Sequence, residues 1–297
     1  MKKRVFFINL VIIVLSVALI SYTFAGLRQV YAKDAFLRNL KELTSGEFKN
    51  EKIEYAFVMK KLGFFKPELL RKANQQFAAA SLIKLPILAA AFYAVGEKKI
   101  SMEKIVTIKK KDVTGGSGRL KALSLPRKFT FAQLLELMIS SSDNTATNKV
   151  IEILDFEYIN SVFRKLGLNQ TSLVRKMMDF SQRERGVENY TSAADIAYLL
   201  EKVYRGQLVN KKLSKIALSF LKKQKTNDRL PRYLPAEVVV AHKTGLERGV
   251  VHDAGIVFTL NQDYLICVLV KGGSSYAQAK KFIAQLSLLA YNLINDK

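Results

Sequence analysis

The sequence predicts an α+β fold: an antiparallel β-sheet flanked by helices, with an all-helical lobe beside it. Three observations carry this. β-prone runs lie towards both ends of the chain, at Ile53–Lys60 and across Val238–Lys271. Helical periodicity fills the stretch between them, from about 130 to 225. Apolar residues make up 49% of 297 residues, enough to bury a sizeable core and to exclude disorder over most of the length.

The elements follow in order. Lys2, Lys3 and Arg4 precede an uncharged, mostly apolar run from Val5 to Leu27 that ends at Arg28. A basic flank before an apolar run is an export signature, and at ~1.5 Å per residue this run is long enough to span a bilayer. Residues 1–32 are therefore expected to be a signal peptide or a membrane anchor. Small-residue cleavage patterns stand at Thr23-Phe24-Ala25 and Val30-Tyr31-Ala32, with no cysteine nearby for a lipid anchor. The remainder, 33–297, is expected outside the cytoplasm: periplasmic, extracellular or anchored facing outward.

Residues 33–50 read as a helix and polar connector, and Ile53–Lys60 as a strand. Ser81 opens the apolar stretch Leu82–Val95, too long for one strand and closed near Gly96, hence a helix. Residues 101–128 read mostly as connector, with a basic run at Lys109-Lys110-Lys111 and the cluster Gly115-Gly116-Ser117-Gly118. That cluster lacks the lysine a phosphate-binding loop needs. Thr130 and Gln133 form a capping box before Leu134, Leu135 and Met138. Helices follow at Thr145–Leu154, Phe156–Leu166, Ser192–Tyr204 and Lys211–Gln224, so the helical lobe spans about 101–230. Val238–Lys243, Val250–Thr259 and Tyr264–Lys271 are β-branched runs joined by turns, and Tyr276–Asn295 is a closing amphipathic helix. The simplest assembly pairs the early strand with the late ones, covers the sheet with helices from both termini, and leaves a cleft beside the lobe.

Composition narrows the chemistry. Cys267 is the single cysteine, which excludes an internal disulfide framework and a multi-thiolate metal site; it reads as a core residue of a strand. His242 and His252 are the only histidines, and nothing in the sequence calls for a metal or an organic cofactor. With 48 Lys+Arg against 25 Asp+Glu the formal charge is +23, which points to an anionic partner. Export makes that partner anionic lipid or cell wall and demotes nucleic acid.

Three short patterns carry the candidate reaction. Ser81-Leu82-Ile83-Lys84 sets a hydroxyl and an amine three residues apart on one helix face. A lysine whose pKa is lowered by burial or by another cation can activate such a serine. Alone the pattern is weak, since Ser101–Lys104 and Ser219–Lys222 share the spacing. Ser142-Asp143-Asn144 and then Lys243-Thr244-Gly245 add two further elements in order, the last at the end of a strand. With Phe77-Ala78-Ala79-Ala80 before the first and Gly249–Gly255 after the last, the sequence resembles the penicillin-recognising serine hydrolases, most closely the class A β-lactamases, over roughly Ile53 to Asn295.

The resemblance implies the antiparallel sheet and helical lobe of that family. It implies Ser81 as the acylated nucleophile, with Lys84 helping to deprotonate it and Ser142 relaying a proton to the leaving nitrogen. It implies that Asn144 holds Lys84 and the substrate amide, and that Lys243 and Thr244 of Lys243-Thr244-Gly245 bind the substrate carboxylate. The oxyanion hole would be the backbone N–H groups of Ser81 and Leu246. Arg248 could add charge for the carboxylate or be a solvated turn residue. A Ser-His-Asp arrangement through His252 and Asp253 lacks the Gly-x-Ser-x-Gly elbow, and both histidines read as structural. One departure stands out. Class A enzymes carry a Glu followed by Leu-Asn, and no Glu-x-x-Leu-Asn occurs here; counting back from Thr191-Ser192 places Asp179 nearest, with Glu184 and Glu188 too close to the next helix.

The expected function is an exported monomeric serine β-lactamase acting on β-lactam or acyl-D-Ala-type substrates. The alternatives are a penicillin-binding D-alanyl-D-alanine peptidase or slow acylating relative, and a non-catalytic envelope binding protein.

Overall fold

The structure, a computed structural model, describes residues 33–63 and 68–295. The expected leader at 1–32, with both cleavage patterns, lies outside the described residues. Among the described residues no helix is long and apolar enough to cross a membrane.

The early strand β1 (Glu54–Lys61) and the short β2 (Glu68–Arg71) join the three late strands in one antiparallel sheet. Two small strand pairs lie outside it: β3 (Phe77–Ala78) with β6 (Tyr190–Thr191), and β4 (Ile105–Ile108) with β5 (Arg127–Thr130). The late strands are β7 (Val239–Glu247), β8 (Val250–Phe258) and β9 (Tyr264–Lys271), and the sheet order is β2-β1-β9-β8-β7. Central β9 is buried from Tyr264 to Val270, and its side chains divide by parity. Leu265, Cys267 and Leu269 enter one core, while Tyr264, Ile266, Val268 and Val270 enter the other. A strand apolar at every position requires cover on both faces.

The helix over 33–45 (α1) and α9 (Tyr276–Asn295) supply one cover. Phe36 and Leu40 enter that core, where Phe282 meets Phe48 and Tyr55 at ring-centroid distances of 5.2 and 4.8 Å. On the other side lies α2 (Lys84–Gly96), a helix buried on nearly every side because other helices surround it. The lobe is built from α3 (Phe131–Ser140), α4 (Asn144–Leu154), α5 (Phe156–Leu166) and the short α6 (Phe180–Glu184). The helices α7 (Ala193–Tyr204) and α8 (Lys211–Lys222) join it to the sheet. Thr130 accepts from the Gln133 N–H at 3.1 Å and Gln133 returns the bond at 2.8 Å, the reciprocal cap expected of α3. The architecture is the α+β arrangement read from the sequence.

Three local details differ from the sequence reading. The stretch 101–128 holds most of the β4–β5 pair, four residues per strand; the β-branched Ile105-Val106-Thr107-Ile108 is too short to stand out, and Thr130 both ends β5 and caps α3. Strand β7 continues past Lys243 because Leu246 and Glu247 find partners in Val251 and Val250. Ser81 sits on a 3-10 turn, Ala80–Ile83, before the α-helix proper begins.

Parity also sorts β7. Ala241 joins the lobe-side core, so Lys243 faces the lobe, while His242 faces the α9 side with Asp253. His242 crosses directly opposite Gly255, where a Cβ would lie 2.5 Å from the His242 Cβ. Gly255→Ala is expected to destabilise the fold by about 1–3 kcal/mol through overpacking of strand against ring, read as a lowered midpoint of denaturant unfolding. An unchanged midpoint would mean that the sheet relaxes freely there.

Candidate active site

Strand β3 delivers the chain to Ser81. Its partner β6 fixes one side, and His252 fixes the other by donating from Nε2 to the Ala78 carbonyl at 2.9 Å. His252 Nδ1 accepts from the Val270 N–H at 3.2 Å, so both ring nitrogens are used. Burial pushes its pKa down to about 4, and the ring is a neutral peg. Next, Ala80 takes φ +45°, a left-handed conformation costly for a side chain, and turns Ser81 into the cavity. Leu82 and Ile83 are fully buried and anchor the turn behind it. Gly245 of β7 lies against this turn: a Cβ there would stand 3.2 Å from His252 Cδ2 and 3.5 Å from Ala80 Cβ. Asp253 gives its carboxylate to His242 Nδ1 at 2.9 Å, on the opposite side of the sheet from Ser81. The Ser-His-Asp alternative is not assembled, and both histidines have structural positions.

Lys84 is fully buried in the first turn of α2. Its Nζ lies 2.7 Å from the Ser142 carbonyl, 2.8 Å from Asn144 Oδ1 and 3.0 Å from Ser142 Oγ. Ser142, at φ +52° on the turn between α3 and α4, presents the same hydroxyl to Lys243 Nζ at 3.1 Å. Lys243 also donates to the Thr244 carbonyl at 2.8 Å. Both amines stand about 3 Å from one oxygen, so they are at most about 6 Å apart. Two full charges at that distance repel by roughly 3 kcal/mol in an effective dielectric of ~20. Burial, and then the Lys243 charge, hold Lys84 well below the usual lysine range, with Asp143 opposing. Burial brings Lys243 down to about 7; Asp253 raises it and Arg229 lowers it. Lys84 donates to the Ser142 carbonyl, to Asn144 Oδ1 and to Ser142 Oγ. Lys243 Nζ donates to the same oxygen, so the Ser142 hydroxyl joins the two amines.

Asp143 acts on the frame. Its buried carboxylate accepts from the N–H groups of Arg119 (2.6 Å), Leu120 (2.8 Å) and Ala146 (2.9 Å). This caps α4 and draws in the glycine cluster. Asn144 completes the attachment, donating from Nδ2 to the Gly115 carbonyl at 2.9 Å and from its backbone to the Ser117 carbonyl at 3.0 Å. Gly115–Gly118, read from sequence as connector, is a wall of the site.

That wall bounds a cavity of about 820 Å³ with Ser81 and Asn144 at its edge. Met177, Met178 and Phe180 form the facing wall, and Leu246 and Arg248 the β7 side. Asp179 is not among the lining residues. It caps α6, accepting from Ser181 Oγ at 2.9 Å and the Gln182 N–H at 3.2 Å, and these bonds hold its pKa below the usual range. The exposed Glu184, set aside by sequence counting, does line the cavity. Glu188 instead enters an ion network that closes the 175–188 segment. It meets Arg175 Nη2 at 2.7 Å and Arg183 Nε at 3.3 Å, while Glu247 Oε1 of β7 meets the same arginines at 2.8 and 3.2 Å. Arg183 also donates to the Arg248 carbonyl at 2.8 Å. Sequence reading missed Arg229, a buried guanidinium whose charge is felt at Lys243 and His252. Its Nη1 lies 3.4 Å from Asp228 Oδ1 without hydrogen-bond geometry, and its Nε has no partner among the described residues.

The profile of the β-lactamase enzyme family matches residues 38–294. The chain belongs to that family. It is a β-lactamase-type serine hydrolase of class A character. Among curated relatives it is 24% identical over 245 residues to the extended-spectrum β-lactamase PER-1 of Pseudomonas aeruginosa, covering 75% of this chain and 77% of that protein. A β-lactamase of Phocaeicola vulgatus is 28% identical over 222 residues, 66% and 67% of the two chains. Among solved structures PBP-A superposes with a TM-score of 0.79 at 28% identity, covering 89% of this chain and 97% of that one. A β-lactamase from Sphaerobacter thermophilus shares the fold at TM-score 0.78 and 24% identity, with 86% and 97% covered.

The ion network predicts strong coupling across the cavity mouth in this family member. In a cycle of Arg183→Ala, Glu247→Ala and the double variant, thermal stability should be non-additive by about 0.5–3 kcal/mol. Additive losses would mean that the 175–188 segment and β7 are energetically independent.

Proposed function

We propose that this chain is an exported serine hydrolase that acylates Ser81 with β-lactams and releases the acyl group slowly. The observation that carries the reading is the Ser142 hydroxyl, 3.0 Å from Lys84 and 3.1 Å from Lys243, with burial and the second cation lowering the Lys84 pKa well below the usual lysine range. Ser81 Oγ attacks the lactam carbonyl as its proton passes to Lys84. The O–C bond forms, and the oxyanion is met by the N–H groups of Ser81 and Leu246. The C–N bond then breaks, and the proton reaches the nitrogen from Lys84 through Ser142. Asn144 keeps the Lys84 amine in register. Lys243 and Thr244, with the Arg229 charge behind them, bind the substrate carboxylate, and Arg248 adds charge at the mouth.

Slow release is supported by the wall that must hold a deacylating water. Met177 and Met178 line it, Asp179 is turned to α6 and Glu247 is neutralised by two arginines, so of these carboxylates only the exposed Glu184 is left on the lining. This favours, as a second reading, a penicillin-binding D-alanyl-D-alanine peptidase type. A solved relative at 29% identity, a mutant of PBP-A, is an acyl-enzyme complex with penicillin G. The basic surface suits an anionic cell wall or membrane as a neighbour.

A chromogenic cephalosporin mixed rapidly with the protein should give a stoichiometric burst followed by slow turnover. Ser81→Ala should lower the burst rate by about a thousandfold or more. Fast continuous turnover without a burst would instead make this an efficient β-lactamase, and no adduct on Ser81 would leave a non-catalytic binding protein. Asp179→Asn should leave both phases within about twofold of the parent, because its carboxylate is occupied as a cap.

The acylation kcat/KM should also carry an alkaline limb. Lys243 binds carboxylate only as a cation and its pKa is about 7, so efficiency falls as pH rises through that region. Lys243→Arg, which stays charged, should remove the limb; its persistence would assign it to another group.

A further inference from the structure

We infer that the mouth of the Ser81 cavity is built to receive a substrate carried on a linear polyanion, a phosphodiester polymer lying across two basic rims; this rests on the Ser81 reading above. The first rim is the segment from Lys109 to Lys128. Lys109, Lys110 and Lys111 are exposed, as are Arg119 and Lys121. The β4–β5 pairing sets Ile108 opposite Arg127 and Thr107 opposite Lys128, so two more exposed cations stand beside the run. The only acid in this segment, Asp112, is taken by Lys149 at 3.4 Å and by the Lys109 N–H at 2.8 Å. No ion pair answers the seven cations among the described residues.

Other faces answer part of their charge locally: Lys60 meets Glu68 and Glu201, Lys280 meets Asp228, and Lys281 meets Glu47.

The basic segment adjoins the cavity, because Lys121 donates to the carbonyl of Gly116, a lining residue. Across the mouth, Arg248 also lines the cavity, and its guanidinium has no acidic partner among the described residues. Arg183 beside it is neutralised by Glu188 and Glu247, which leaves Arg248 as the second rim. Cations on both sides of a concave cleft suit a flexible strand that can follow the concavity. A flat lipid surface would meet only the outermost side chains. Such a rim raises the local concentration of the polymer at the nucleophile, an effect that salt screens.

The test compares two triple variants of equal charge change. Lys109→Glu/Lys110→Glu/Lys111→Glu alters the rim, and Lys33→Glu/Lys41→Glu/Lys49→Glu alters exposed positions on the α1 side. Probes are poly(glycerol phosphate), neutral dextran, and vesicles of phosphatidylcholine with phosphatidylglycerol. The parent should bind the polymer in a salt-sensitive manner and ignore dextran. The rim variant should lose about tenfold or more of that affinity at low salt, and the α1-side variant less than about twofold. Both should acylate with a small chromogenic cephalosporin at the parent rate. Equal losses in the two variants would reduce the effect to net charge and overturn the proposal. So would binding to the vesicles without binding to the polymer. Rim-specific polymer binding in a protein that forms no Ser81 adduct would sustain the surface and sink the hydrolase reading instead.

Discussion

Two buried lysines share one serine hydroxyl, and the rest of the site is arranged around that constraint. Lys84 and Lys243 both lie within 3.1 Å of Ser142 Oγ and are fully buried, so both cannot carry a charge at modest cost. The conflict resolves by asymmetry. Burial and the Lys243 charge lower the Lys84 pKa well below the usual lysine range, whereas Lys243 has Asp253 on the next strand to sustain its charge. The Ser142 hydroxyl lies between the two amines, within hydrogen-bond reach of both. Burial first, and the Lys243 charge second, thus favour the unprotonated form of Lys84.

Holding that arrangement takes backbone conformations that side chains normally avoid. Ala80 and Ser142 both have positive φ, and both stand at the cluster. Each is flanked by rigid attachments: the turn after Ala80 by buried Leu82 and Ile83, Ser142 by the Asp143 carboxylate with its three N–H donors. Strain of this kind persists where the surroundings over-determine the backbone. The sheet contributes by parity. Alternation along β7 sends Lys243 to the lobe and His242 to the opposite face, and β8 sends His252 to brace Ala78 and Asp253 away from Ser81.

The cavity's outer wall has a different character. Its ion network joins a lobe segment to β7 through two arginines and two glutamates, and it consumes carboxylates that sequence counting alone would leave available. Glu188 and Glu247 are tied to arginines, and Asp179 is tied to α6. The two parts of the site therefore differ in build: the Lys84–Ser142–Lys243 cluster is held by buried residues, and the cavity's outer wall is set largely by exposed or ion-paired ones.

Much of this was legible in one dimension because it depends on periodicity and local spacing. Strand alternation, the Thr130–Gln133 cap and the apolar run of β9 are short-range signals, and they predict the sheet, the helices and their order. The three ordered signatures likewise point to Ser81, Lys84, Ser142 and Lys243, of which Ser81 and Lys84 are neighbours on one turn. What only the tertiary structure decided involves contacts between residues far apart in the chain, whose charges and unpaired groups carry no local pattern. Lys243 meets Ser142 across 101 positions, and Arg175 meets Glu247 across 72. Arg229 is one arginine among many until burial leaves its Nε without a partner among the described residues. Asp179 and Glu184 differ by five positions and look alike as carboxylates; a helix cap turns the first from the cavity while the second lines it. Periodicity dictates which faces are buried, but which charges meet is settled only when the lobe closes against the sheet.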